Sequence, residues 1–133
     1  MVEEPEQNLS PGSQWDLLKK SLLKENSRKD KNQLIMTTHS PYILSYMNLA
    51  LQASSLWERI DNKDLEYTLT SIIPKNISVK VSNLNVYECN ETDGSIKKLE
   101  PYEGILPDDN YLNKGLREGN DLFDALLDIE DQL

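Results

Sequence analysis

Residues 34–41 read Leu-Ile-Met-Thr-Thr-His-Ser-Pro, and residues 2–6 read Val-Glu-Glu-Pro-Glu. The segment 33–38 is short, apolar and rich in branched side chains, which suits a buried parallel strand. Ser40 and Pro41 then supply a helix entry, with serine at the cap and proline at the first helical position, where its missing N–H costs nothing. Ile43, Met47 and Ala50 follow at helical spacing, flanked by Leu44 and Leu51. Between the two quoted stretches, Ser10-Pro11 repeats the device. It opens a helix whose apolar stripe is Trp15, Leu18 and Leu22, widened by Leu17 and Leu23, with Lys19, Lys20 and Lys24 towards its C-terminal end. Residues 26–32 form a polar loop. The order strand end, helix, strand, helix is half of a doubly wound α/β unit with right-handed crossovers. The opening strand is nearly absent, because only Met1 and Val2 precede the carboxylates, whereas a parallel strand normally takes about five residues.

Further along, residues 56–60 and 65–73 are expected as short helices, the second stopped by Pro74. Tyr67, Thr68, Thr70 and Ile72 also leave a strand open for the second segment. A hairpin is expected from residue 85, with strands at 86–89 and 95–99 joined by a turn through Glu91-Thr92-Asp93-Gly94. Residues 103–110 form a loop containing Gly104 and Pro107. Two helices close the chain, at 111–117 and then carrying Leu122, Phe123, Leu126, Leu127 and Ile129, a stripe expected to be core. The organisation is therefore an α/β core half at 1–53, a connector at 54–84, and a hairpin with helices at 85–133.

The 133 residues are one domain's worth. Hydrophobic residues make 38% and charged residues 28%, a globular balance, and neither a membrane-length apolar run nor a signal segment is present. The formal charge of −9 argues against a chain that grips a nucleic-acid backbone. Its acids gather at Glu118, Asp121, Asp124, Asp128, Glu130 and Asp131, which suits a solvated helix face. Cys89 is the only cysteine, so no internal disulfide forms, the reducing cytosol is the natural compartment, and Cys89 is expected in the packing.

Two acids leaving one strand tip and the only histidine leaving the next suit the hydrolytic half of a nucleoside triphosphate site. Open α/β sheets bind ligands beyond their strand C-termini. Hydrolysis needs a magnesium ion at the terminal phosphates and a group that orients water. Glu3 is the magnesium-side acid in this reading, Glu4 the group that positions or deprotonates water, and His39 a donor to a phosphate oxygen. Adjacent strand residues point to opposite faces, so the chain must already be turning at Glu4, where Pro5 fits such a turn.

Glu-Glu-Pro-Glu-Gln-Asn-Leu-Ser-Pro followed by Thr-Thr-His-Ser-Pro-Tyr-Ile-Leu resembles the ABC-type ATPase heads of the SMC, RecF and OLD-like group, and more closely the bacterial AAA-labelled ATPases of that lineage. The resemblance implies a partial P-loop NTPase fold of three layers with a C-terminal hairpin and helices. It implies that Glu3 is the Walker B acid, Glu4 the catalytic glutamate, Asn8 to Pro11 the D-loop, whose Asn8 and Ser10 meet nucleotide, and His39 the switch histidine. It further implies ATP and Mg2+ as cofactors, a homodimer closed through its heads, DNA contact only through other parts of a parent protein, and no membrane. The resemblance covers residues 2–53 well and 85–129 loosely. The chain departs from the family in having no G-x-x-x-x-G-K-[ST] and no signature segment, elements that cradle the triphosphate. The expectation is a C-terminal part of a larger ATPase, inactive alone, whose open sheet edge promotes self-association. Two rivals stand beside it: a non-catalytic interaction module docking through the acidic C-terminal helix, and a metal-dependent nuclease or phosphatase using the glutamates, with a metal-only site of Glu3, Glu4 and His39 as the runner-up reading of these residues.

Overall fold

The computed structural model describes residues 1–133. Strand β1 (Val2–Glu3) pairs in parallel with β2 (Met36–Thr37), in the register Val2 to Met36 and Glu3 to Thr37. Backbone bonds extend the ladder on both sides, from Val2 N to Ile35 O at 2.8 Å and from Glu4 N to Thr37 O at 2.9 Å. The two quoted stretches are thus neighbours, with their C-terminal tips side by side. The strand expected over 33–38 is shorter and less buried, since Ile35 is 57% exposed. A sheet of two strands offers too little surface for a central strand to be covered on both faces. In place of the expected three layers, the chain presents this two-stranded parallel element with its helices and a separate two-stranded hairpin.

The crossover from β1 to β2 is a helical rod in three parts: α1 (Pro11–Leu17), a π-helical turn (Leu18–Leu22) and α2 (Leu23–Asn26). Ser10 caps it as expected, its hydroxyl accepting from Ser13 N at 3.4 Å. The π turn has a packing reason. On a straight α-helix Leu18 and Leu23 would lie roughly 140° apart, yet both are buried. The bond from Leu23 N to Leu18 O spans five residues and brings them to the same side. After β2, α3 (Pro41–Trp57) buries Ile43, Met47, Ala50 and Leu51. Trp15 stacks on Tyr46 at 5.0 Å, and the Tyr46 hydroxyl donates to Pro11 O at 2.8 Å, which sews α1 to α3.

The segment 56–60 is not a helix of its own: residues 56–57 end α3, and 58–60 form the turn that leaves it. Helix α4 (Lys63–Ile72) resolves the ambiguity at 65–73 in favour of helix. Asn62 caps it by accepting from Asp64 N and Leu65 N, and an N-cap of this kind outweighs the modest β preference of its threonines. Strands β3 (Tyr87–Cys89) and β4 (Ile96–Lys98) form the expected antiparallel hairpin, with Gly94 at φ +70° in the turn. Asn48 of α3 pins the loop that follows: its side chain donates to Leu106 O at 3.0 Å and accepts from Leu106 N at 2.7 Å. One buried cluster runs from Leu18 to Leu106, including Met47, Leu51, Ile73, Ile77 and Leu99, and takes nothing from the residues beyond Leu106.

Three expectations about the last third are corrected. Residues 111–130 are one helix, α5 (Tyr111–Glu130), not two. Asn110 caps it, and the Glu88 carboxylate accepts from Tyr111 N at 2.7 Å, which suits an anion at a helix N-terminus. Its apolar stripe is not core. Leu122, Phe123 and Leu126 are 69%, 60% and 62% exposed, because no other element of the chain packs over that face. Cys89 is exposed too, since β3 belongs to a two-stranded hairpin with an open side. No helix is long and apolar enough to cross a membrane.

Candidate functional site

Strand β1 ends at Glu3, and Glu4 turns the chain with φ +44°, in the left-handed region that non-glycine residues seldom occupy. The turn expected at Glu4 is therefore present. Its backbone is held from across the sheet, with Glu4 N donating to Thr37 O at 2.9 Å. Backbone strain of this kind persists only where surrounding bonds fix it. The consequence is geometric. The turn directs the Glu4 side chain towards the neighbouring strand tip, where His39 Nε2 lies 3.1 Å from Glu4 Oε1. The two side chains remain 41% and 81% exposed, so this pair faces solvent and is accessible to a ligand.

Glu3 lies on β1 opposite Thr37, exposed to solvent. Asn8 occupies a left-handed position (φ +61°) in the turn into α1, and Ser10 caps that helix with its hydroxyl 3.0 Å from that of Ser13. The structure thus brings Glu4 and His39 together. The side chains of Glu3, Asn8 and Ser10 make no hydrogen bond or ion pair with either. No three His, Cys, Asp or Glu side chains converge so as to hold a metal ion by themselves.

Glu6, seen in the sequence only as part of an acidic run, is the most connected carboxylate of the site. Its Oε1 accepts from the Thr38 hydroxyl at 2.7 Å and from His39 N at 2.7 Å. Thr38 Oγ1 in turn accepts from Ser40 N at 3.0 Å. The other oxygen, Oε2, is buried without a hydrogen-bond partner. Burial pushes the Glu6 carboxyl upward, but the Thr38 hydroxyl, the Glu6 and His39 amides and the charge of His39 outweigh it and hold it below its ordinary 4.5. A carboxyl lowered by folding stabilises the fold only as the anion. Its contribution is complete above about pH 4.5 and fades as pH falls through the lower folded value. In urea denaturation from neutral to acid pH, the stability gap between wild type and Glu6→Gln should therefore shrink as the medium becomes more acid than the ordinary glutamate range. A gap that stays constant with pH would contradict this account.

Gln14 is a second residue that no motif or spacing singled out. It is buried in α1, donates through Nε2 to Leu9 O at 3.1 Å and accepts from the Ser40 hydroxyl at 2.6 Å. Ser40 was expected to cap α3 with that hydroxyl. Only the proline half of the expectation stands, because the side chain makes no cap bond.

The fold and site so far define a class: a parallel strand pair presenting an acid and a histidine at adjacent tips, joined by a helical crossover. Residues 1–45, about a third of the chain, match the model of a family described as AAA domain, putative AbiEii toxin, Type IV TA system. That stretch is similar to an AAA-type, ATP-binding domain, and it contains Glu3, Glu4, Glu6, Gln14 and His39. No curated protein and no solved structure matches the chain.

Proposed function

We propose that this chain supplies the hydrolytic half of an ATP site in an ABC-type ATPase head of the SMC, RecF and OLD-like kind. The observation that carries this reading is the Glu4–His39 contact at 3.1 Å, at the tips of two hydrogen-bonded parallel strands. Glu4 orients water and accepts its proton as it attacks the γ-phosphate, the role of a positioned general base. His39 donates to a γ-phosphate oxygen, and Asn8 and Ser10 meet nucleotide at the head interface. Glu3 fits a magnesium ion by the chemistry of its donor: an exposed hard oxygen at a strand tip suits a cation that keeps several waters and takes one or two carboxylates beside phosphate. That ion, when bound, neutralises charge on the terminal phosphates.

The phosphate-cradling half would come from sequence that these residues do not contain, and two heads would close over nucleotide. ATP turnover would drive that closure in a cytosolic process such as DNA repair, chromosome handling or phage defence. Any DNA contact would be made by other parts of the parent protein. The test is ATP turnover and binding in the natural protein that carries these residues, with Glu4→Gln. Slow hydrolysis with binding retained is expected, and wild-type rates would overturn the role.

The uncovered face of α5 favours a second reading, a non-catalytic interaction module with a vestigial ATP site. No ATP binding in the natural protein would decide for it. Hydrolysis of nucleic acid or phosphoesters with divalent metal and no nucleotide would instead point to a metal-dependent nuclease or phosphatase.

A further inference from the structure

The backbone at residues 38–40 is clamped from two sides, while the imidazole between the clamps touches only Glu4. On one side Glu6 Oε1 holds the Thr38 hydroxyl and the His39 amide, each at 2.7 Å. On the other, the Ser40 hydroxyl donates to buried Gln14 at 2.6 Å, and Gln14 is itself fixed to Leu9 O at 3.1 Å. Both anchors lie in the segment that leaves the Glu4 strand. The His39 side chain, by contrast, is 81% exposed, and its one polar contact is Glu4 Oε1.

We infer that Glu6 is a positioning residue, which with Gln14 fixes the His39 backbone so that the imidazole alone pivots between the Glu4 carboxylate and an anionic ligand. The inference rests on the ATP-site reading for the identity of that anion, a terminal phosphate. While His39 Nε2 lies 3.1 Å from Glu4 Oε1, one of the acid's oxygens is occupied. When the imidazole turns to an anion, Glu4 is released to receive a proton from water. A fixed pivot matters because both end points of the swing must be reached closely, and a misplacement of about 1 Å costs about 10²-fold in rate. A carboxylate suits the anchor better than a neutral acceptor, since charge-assisted bonds to amide and hydroxyl donors are shorter and stronger.

The tie is read directly by NMR on the isotopically labelled chain, without nucleotide. The His39 amide proton should move with pH as Glu6 titrates below its ordinary 4.5, with His39 the charged group acting on that carboxyl. The movement should vanish in Glu6→Gln and persist in Glu4→Gln. Backbone order at Thr38 and His39 should fall in Glu6→Ala and hold in Glu6→Gln, whose amide oxygen can still accept both bonds. An amide insensitive to acid, or unchanged order in Glu6→Ala, would overturn the clamp even if the variant folds.

The catalytic consequence is read in the natural protein carrying these residues. Glu6→Ala should lower kcat by about 10²-fold with KM unchanged, and Glu6→Gln should recover most of that loss. If Glu4→Gln abolishes turnover and Glu6→Ala leaves kcat intact, the positioning role fails while the ATP-site reading survives. If Glu4→Gln leaves turnover intact, the ATP-site reading itself fails, and the positioning role fails with it.

Discussion

On the proposed ATP-site reading, Glu4→Gln in the natural protein carrying these residues is expected to slow ATP turnover by about 10²- to 10⁴-fold, the range lost when a positioned general base is removed. The amide preserves the volume of the side chain and can still sit beside His39 Nε2, which lies 3.1 Å from the carboxylate. What it cannot do is take a proton, so the loss should fall on kcat with nucleotide affinity retained. The left-handed backbone at Glu4 (φ +44°) is held by Thr37 and should survive the exchange, since glutamine demands no other conformation. His39→Ala should also lower turnover, and the double variant should be little worse than the more damaging single one, because residues acting as a unit are non-additive. Multiplicative losses in single-turnover assays would show that the two side chains act independently, and would remove the structural basis for pairing them.

Leu18→Ala is expected to destabilise the chain by about 2–5 kcal/mol, the usual cost of a large cavity in a core. Leu18 is wholly buried, at the π turn where α1 meets the central cluster. With only 16 of 133 residues buried, the core has little surplus packing to absorb the loss. Small domains hold about 5–15 kcal/mol of stability in all, so this variant should show a sharply lowered urea midpoint. Leu126→Ala on α5, where the side chain is 62% exposed, should stay within about 0.5 kcal/mol. Similar costs for the two substitutions would mean that α5 is covered in solution and that Leu126 is a core residue like Leu18.

The contrast between these leucines shows where sequence reasoning reaches and where it stops. Apolar periodicity marks both 15–23 and 122–129 as amphipathic helix. It cannot say whether another element covers the stripe, since that depends on packing partners far along the chain. Ser10 and Ser40 make the same point in polar chemistry. Each precedes a proline at a helix start, and Ser10 caps its helix, yet Ser40 gives its hydroxyl to Gln14, 26 residues earlier in the chain. Local capping rules describe a competition among near neighbours, and a buried acceptor from another helix can win it.

By itself, the sequence determined the helix entries at Ser10-Pro11 and at Pro41, the hairpin around Gly94, and the placing of Glu4 and His39 at the ends of two strands. These follow from interactions within a few residues: proline's fixed φ, the N-cap bond at Ser10, the glycine turn and the alternation of side chains. Tertiary structure alone distinguished Glu6 from Glu3 and Glu4. Three glutamates within four residues are nearly equivalent until the partner strand arrives, and the Glu6 bonds to Thr38 and His39 span 32 and 33 residues. Pairing β1 with β2 sets which oxygen meets which donor. It makes one acid a partner of the imidazole and another the anchor of its backbone.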